Sequence, residues 1–295
     1  MTVIEPLRPE DWSAAMLLAF ARVPEAERGE RAQQCVNLLA AGRLDPRGVW
    51  VARRAGKPVG VQVCVPLAGS TCLFWLPTAP NGVAARLVQA GLDHCRSLGC
   101  KVAQALAHAD EIAHTGPLLR CGFRPTTRMH LLEHDLRNLI DEPTAPLRFE
   151  AFRPSLQAAF AATLQRTYEG TLDCPELNGA RTMDEILAGH RGQGRFHPDF
   201  WWLAYEGAEP VGVLMLAELP DGLTWEVAYL GMVPECRRRR LGRAMMLHAL
   251  DALRAQPVAR LTLAVDTRNE PALRLYRSLG FVETKSNEVL LYFFR

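Results

Sequence analysis

Residues 50–61 read WVARRAGKPVGV and residues 202–213 read WLAYEGAEPVGV, so one pattern is written twice. In each copy a short apolar run meets a polar, glycine-containing turn and resumes as a second apolar run, the signature of a β-hairpin. A second echo pairs Leu118-Leu119-Arg120-Cys121-Gly122-Phe123 with Leu275-Tyr276-Arg277-Ser278-Leu279-Gly280-Phe281. Both read as a helix stopped by glycine and followed by a strand. Two units recurring in the same order mark a duplicated domain.

Between these anchors each half offers a strand, a long helix and another strand. They fall at 71–76, 83–98 and 101–106 in the first half, and at 224–233, 241–254 and 260–265 in the second. That order is a βαβ unit flanked by hairpin strands. Each half also opens with helical material, at 12–20 and 26–41, then at 155–168 and 180–188. The expected fold class is α/β: two tandem domains, each a mixed, mainly antiparallel sheet with a central βαβ unit and flanking helices. The domains are expected at 1–140 and 148–295, joined by a linker at 141–147 that carries Pro143 and Pro146 and lacks apolar periodicity.

The 295 residues are 48% apolar and 22% charged, with a formal net charge of +2. This is a globular balance, and a general nucleic-acid binder would spread more basic charge over a face. No segment approaches the roughly 18 apolar residues of a membrane span, and the N-terminus has no basic stretch followed by an apolar run. A cytoplasmic protein without nucleic-acid or membrane partners is expected, as a monomer or homodimer. The eight cysteines include no C-x-x-C pair and no Cys/His cluster with zinc spacing. They read as reduced, buried thiols, with no disulfide and no structural metal.

The most basic stretch is Val233-Pro234-Glu235-Cys236-Arg237-Arg238-Arg239-Arg240-Leu241-Gly242-Arg243-Ala244. Leu241, Ala244, Met245, His248, Ala249 and Ala252 repeat at helical spacing, so a helix begins near Leu241 with the arginines as its entry turn. A strand, a turn and a helix aim the first free N–H groups at whatever lies above the turn, and a pyrophosphate suits them. Gly242 lets a ligand approach the backbone, and flanking arginines add charge-assisted bonds. Taken alone, a solvated basic face or a nucleic-acid patch fits the run equally well.

The stretch resembles motif A of the GNAT superfamily of N-acetyltransferases, Gln/Arg-x-x-Gly-x-Gly/Ala. Residues 269–281, NEPALRLYRSLGF, resemble the family's second signature, Asn-x-x-Ala-x-x-Leu-Tyr followed after three residues by Gly-Phe. The likeness covers about 148–295 directly and the first half through the duplication. One departure stands out: Arg237 and Gly242 fill motif positions, but Arg240 replaces the first glycine. With a negative φ there the turn would persist, and weakened or reoriented cofactor binding is expected.

The resemblance implies acetyl-CoA as acyl donor, its pyrophosphate on Arg237, Arg238, Arg240, Leu241, Gly242, Arg243 and Ala244. The pantetheine would lie beside Leu230, Met232 and Val233, where the strand splays from its neighbour. It implies Tyr276 as general acid to the departing thiolate, the reading favoured here over a helix aromatic packed in the core. Glu226, the only acidic residue inside its strand, stands where some members carry the base; a satisfied structural carboxylate is the alternative. Asn269 is a helix N-cap, a cofactor contact or both.

The acceptor region falls at 168–177, where Tyr168, Asp173 and Glu176 are weak candidates for holding a small-molecule or peptide amine. His190, His197 and Phe200-Trp201-Trp202 read as packing groups. The first half lacks the arginines, the glycine spacing and the tyrosine, so catalysis is expected only in the second. The competing reading is a non-catalytic acyl-CoA sensor or interaction module.

Overall fold

A computed structural model describes residues 1–80, 82–137 and 146–295; the expected linker therefore falls largely outside the described residues. The chain forms two compact units, one of Met1–Thr126 with Glu288–Arg295 and one of Thr127–Asn287.

The first unit contains β1 (Thr2–Pro6), α1 (Trp12–Ala19), α2 (Glu25–Ala40), β2 (Val49–Arg54), β3 (Lys57–Leu67), β4 (Thr71–Phe74), α3 (Ala84–Ser97), β5 (Val102–His108) and α4 (Gly116–Arg120). Next come β6 (Arg124–His134), β7 (Arg148–Ala151), α5 (Gln157–Thr167), α6 (Met183–Arg191), β8 (Trp201–Glu206), β9 (Glu209–Glu218) and β10 (Thr224–Met232). The chain ends with α7 (Leu241–Leu253), β11 (Arg260–Asp266), α8 (Glu270–Ser278) and β12 (Val282–Phe293). In the first unit the sheet order is β1-β2-β3-β4-β5 and then the end of β12; in the second it is the start of β12, then β6-β11-β10-β9-β8-β7.

The duplication reaches individual hydrogen bonds. Hairpin β2–β3 shifts register between Ala52 and Arg53, and β8–β9 shifts at the matching Ala204 and Tyr205. In the first unit Phe123 N–H donates to Leu118 and Gly122 N–H to Leu119; in the second, Phe281 N–H donates to Tyr276 and Gly280 N–H to Arg277. Gly122 (φ +98°) and Gly280 (φ +92°) take the left-handed backbone that this helix stop requires.

The units depart from the expected ranges 1–140 and 148–295 in two places. Most of β6 lies in the second unit, because Met129–His134 pair antiparallel with Asp266–Leu261 of β11. Residues 288–295 lie in the first unit, where Leu290 joins the core of Phe74, Leu92, Ala103 and Leu118. The first half thus gives most of β6 to the second unit, and the second half gives the end of β12 to the first.

The second unit packs two cores on opposite faces of its sheet. Trp202, Leu214, Trp225, Met245, Leu250, Leu263 and Leu273 form one, under α7 and α8. Phe160, Leu164, Leu187, Trp201, Leu203 and Met215 form the other, under α5 and α6. Alternation along β8 explains the split: Trp201 and Trp202 point to opposite faces. A fully buried side chain such as Met245 contributes ~1.5–3 kcal/mol, which is what seats α7 and so fixes the turn before it. Among the described residues no helix is long and apolar enough to cross a membrane.

Candidate active site

Strands β10 and β11 run parallel but stay paired only through Thr224↔Arg260, Trp225↔Leu261 and Glu226↔Thr262. Beyond Glu226 they part. A register shift between Val227 and Tyr229 bends β10, which continues alongside β9 as far as Met232↔Gly212, while β11 follows β6. The edge of β10 over Leu230, Gly231 and Met232 therefore faces a gap instead of a neighbouring strand, and backbone groups there call for a partner.

The arginine turn closes one end of this gap. After a short 3₁₀ turn at Pro234–Cys236, Arg238 (φ +60°) and Arg240 (φ +61°) both adopt left-handed backbone, and α7 begins at Leu241. The condition set for the turn, a negative φ at Arg240, is not met. Arg240 holds the left-handed backbone that favours glycine, at a cost of about 1–2 kcal/mol for a residue with a Cβ, and the chain still turns into α7. Arg243 and Ala244 N–H both bond the Arg240 carbonyl. Among the described residues, the amides of Arg238 to Gly242 donate no hydrogen bond within the protein, leaving a run of N–H groups at a helix N-terminus.

The four arginines divide their work. Arg237 turns inward: Nε bonds the Met232 carbonyl at 3.1 Å, Nη1 that of Gly170 at 3.0 Å, and Nη2 those of Thr167 at 3.0 Å and Glu169 at 2.7 Å. It clasps β10 to the C-terminal end of α5. Arg239 forms a two-point pair with Glu206 at 3.0 and 2.7 Å. Among the described residues, the guanidinium groups of Arg238 and Arg240 are the members of the run with no such partner, and both are exposed. Arg243 bonds the Ser278 hydroxyl at 2.8 Å. Leu241, Ala244 and Val233 are buried supports, and a Cβ at Gly242 would make only an ordinary 3.5 Å contact with Leu275. The Asn269 side chain accepts from Ala272 N–H at 3.3 Å, which makes it the N-cap of α8.

At the wide end of the gap lies an aromatic and acidic cluster. Tyr276 of α8 is buried, and burial first, then the neighbouring Asp173 and Tyr229, hold its phenol well above the usual range. It stays protonated at neutral pH. The Tyr229 hydroxyl shares a 2.6 Å hydrogen bond with Thr167, and its ring meets Tyr168 edge-on at 5.5 Å and His190 at 5.4 Å. Burial pushes His190 down to about 4, so that imidazole is neutral at pH 7. The Asp173 carboxylate accepts the N–H of Asp266, the last residue of β11, at 3.0 Å. Crowding by the surrounding atoms raises Asp173 to about 6, against the lowering effect of that bond.

Glu226 sits on β10 with its carboxyl raised by burial alone, no charged neighbour contributing. The structure thus brings Tyr276, Tyr229 and Asp173 together and leaves Glu226 apart from them. Glu176, an acceptor candidate, is held by Arg268 at 2.7 and 3.0 Å.

Asp266 organises this end of the site. Its fully buried carboxylate accepts from the Thr127 hydroxyl at 2.8 Å, Cys174 N–H at 3.1 Å, and Arg268 N–H and guanidinium at 2.8 and 2.7 Å. Burial alone would raise this carboxyl, but Arg268 and the other donors outweigh it and hold it low. Asp266→Ala strips partners from the buried Cys174 N–H and Thr127 hydroxyl, and we expect it to cost about 3 kcal/mol in urea unfolding. Because the folded-state pKa is lowered, this stabilisation is present above the unfolded carboxylate pKa near ~3.9 and is lost as pH falls below it. An unchanged midpoint for the variant at pH 7 would show that Asp266 does not clamp this loop.

Comparison with known proteins places the chain by its sequence and its fold. The profile of the Acetyltransferase (GNAT) family matches residues 164–281. A mycothiol acetyltransferase of Beutenbergia cavernae is 36% identical over 106 residues, 35% of each chain. A mycothiol acetyltransferase of Thermobispora bispora is 33% identical over 211 residues, 68% of this chain and 68% of that protein. The chain belongs to the GNAT acetyltransferase family. Among solved structures, a GCN5-related N-acetyltransferase from Sphaerobacter thermophilus superposes with TM-score 0.65 at 17% identity, covering 99% of this chain and 95% of that one. A tandem GNAT protein from the clavulanic acid biosynthesis pathway gives 0.58 at 17% identity, covering 99% and 98%. Those two likenesses speak to the fold, which is a tandem pair of GNAT-like domains.

This GNAT chain also holds groups that sequence reasoning passed over. Tyr229 had a legible signal, a hydroxyl aromatic three residues after Glu226 in an apolar strand. Asp266 and Arg268 had none, since their role depends on a loop some ninety residues earlier in the chain, which reaches them through Asp173 and Cys174.

Proposed function

We propose that the Thr127–Asn287 unit of this acetyltransferase transfers the acetyl group of acetyl-CoA to a primary amine by direct attack. The observation that carries this reading is the run of unbonded amides from Arg238 to Gly242 at the start of α7, beside the splayed edge of β10. An anion fits the amides, with Arg238 and Arg240 free to close on it. An amide-rich arm fits the strand edge. When bound, acetyl-CoA supplies the activated acyl group and a thiolate leaving group.

The remaining steps belong to the protein. Glu226, its carboxyl raised by burial, takes the proton that an alkylammonium of pKa near ~10 must lose, and because it stands apart from Tyr276 and Asp173 it does so through intervening water. Tyr276 keeps its proton at neutral pH and offers it as a hydrogen bond to the departing sulfur. Asp173, ionised above pH of about 6, favours a cationic acceptor beside Tyr276 and Tyr229. The name of the relatives makes a mycothiol-related amine the first acceptor to test, ahead of peptide amines.

Isothermal titration of acetyl-CoA into the wild type and an Arg238→Ala, Arg240→Ala double variant tests the donor. We expect saturable binding at one site per chain, weakened about tenfold for each charge-assisted hydrogen bond removed. Absence of saturable binding to the wild type would overturn the proposal. Binding without CoA release across an amine panel would turn it toward an acyl-CoA sensor.

A further inference from the structure

Outside the acyl-transfer site, four buried cysteines of the first unit converge from separate elements: Cys64 on β3, Cys72 on β4, Cys95 on α3 and Cys100 at the entry to β5. The sulfur atoms of Cys72, Cys95 and Cys100 all lie within 4.8 Å of one another. Each of three thiols now reaches a backbone carbonyl, Cys64 that of Gly48 at 2.9 Å, Cys72 that of Val102 at 3.8 Å and Cys100 that of Thr71 at 3.7 Å. Their solvent exposures are 1, 0, 0 and 7% for Cys64, Cys72, Cys95 and Cys100. Around them Phe74, Val88, Leu92, Ala103 and Leu118 make a dry shell. Gly91 belongs to it as well: a Cβ there would meet the Cys64 sulfur at 3.3 Å and Phe74 at 3.1 Å.

A hydrophobic core gains nothing from gathering its weak S–H groups at one point; a scattered set would pack as well and avoid placing sulfur lone pairs together. Gathered sulfurs are what a thiophilic cation requires. We propose that Cys64, Cys72, Cys95 and Cys100 form a structural Zn²⁺ site that staples β3, β4, α3 and the start of β5.

Zinc bonds thiolate sulfur at ~2.3 Å in a closed tetrahedron, which requires sulfurs slightly under ~4 Å apart. The sulfurs of Cys72, Cys95 and Cys100, already within 4.8 Å of one another, need only a small contraction, and Cys64 completes the tetrahedron by releasing its bond to the Gly48 carbonyl. Each thiol gives up its proton to solvent as it binds, and the divalent ion offsets half of the four negative charges created. Cu⁺ would offset only one charge in the same dry surroundings and prefers fewer sulfurs, so the donor number and the charge both favour Zn²⁺. All four positions are protein sulfur, leaving none open for a substrate, so the role is structural. The spacing, Cys64-x7-Cys72-x22-Cys95-x4-Cys100, matches no short zinc motif, so only the fold displays the cluster.

The test is elemental analysis of the full-length protein produced in zinc-supplemented medium and again after refolding with Co²⁺. We expect one Zn²⁺ per chain, and with Co²⁺ the intense charge-transfer absorption that only thiolate ligands give. Cys95→Ala should bring bound metal below about a tenth of an equivalent, whereas Cys35→Ala and Cys121→Ala should leave it unchanged. If Cys95→Ala does not fold, the wild-type metal content and the Co²⁺ spectrum decide alone. Wild-type protein with eight titratable thiols, no metal and no Co²⁺–thiolate band would overturn the proposal, as would two thiols lost to a disulfide in metal-free protein.

Discussion

Residues 148–295 expressed alone will fail to fold, although they contain the whole of both GNAT-like signatures. That fragment lacks β6, so Leu261 to Asp266 lose their antiparallel partners, and the core beneath loses Leu132, which is fully buried. Removing one such leucine contribution costs ~2–5 kcal/mol, and losing a central ladder besides exceeds the ~5–15 kcal/mol that a domain holds in reserve. The fragment also keeps Leu290, which packs into the core of the first unit. Residues 127–287 have neither defect. Urea unfolding followed by tryptophan fluorescence should show a cooperative transition for 127–287 and none for 148–295; a shared midpoint would mean that β6 is dispensable.

Replacing either proton-handling group should slow turnover far more than it weakens binding. General acid or base catalysis contributes about 10²–10⁴-fold, so Tyr276→Phe and Glu226→Gln should each lower kcat by that order while acetyl-CoA affinity stays near the wild-type value. The pH profile separates the carboxylates. A base must be ionised, so kcat/KM should rise with pH through the Glu226 pKa, which burial places above the ordinary carboxylate range, and this limb should vanish in Glu226→Gln. If Asp173→Asn, and not Glu226→Gln, removes a limb near pH of about 6, the base assignment moves to Asp173. Thermal unfolding of each variant guards against a merely structural loss.

The sequence was most legible where the physics is local. Apolar period two and then 3.6 located β10, α7 and β11 within a residue or two, and the glycine stops at Gly122 and Gly280 are local hydrogen-bond geometry. Strand partnership was not legible. β6 and β12 are duplicate strands following duplicate helices, and nothing in either pattern says which β5-like neighbour it should join. Nor could a run of four identical arginines announce that Arg237 turns to carbonyls some seventy positions away and Arg239 pairs with Glu206 at the surface, while Arg238 and Arg240 face solvent; that division follows from two left-handed residues and from partners distant in sequence. Asp173 looked like one of several solvated acids in a loop, and only the N–H at the end of β11 distinguishes it.

The Arg237 clasp has a consequence for the order in which ligands are felt. One guanidinium joins the base of the anion turn, at Met232, to the carbonyls that end α5, and Tyr168 and the Asp173 loop follow directly from those carbonyls. A donor that tightens the turn therefore acts on the wall that meets the acceptor. By thermodynamic linkage the acceptor must act on donor affinity by the same factor. If donor and acceptor bind as proposed, this one side chain couples them, and Arg237→Lys, which keeps the charge but cannot reach all four carbonyls at once, should uncouple them.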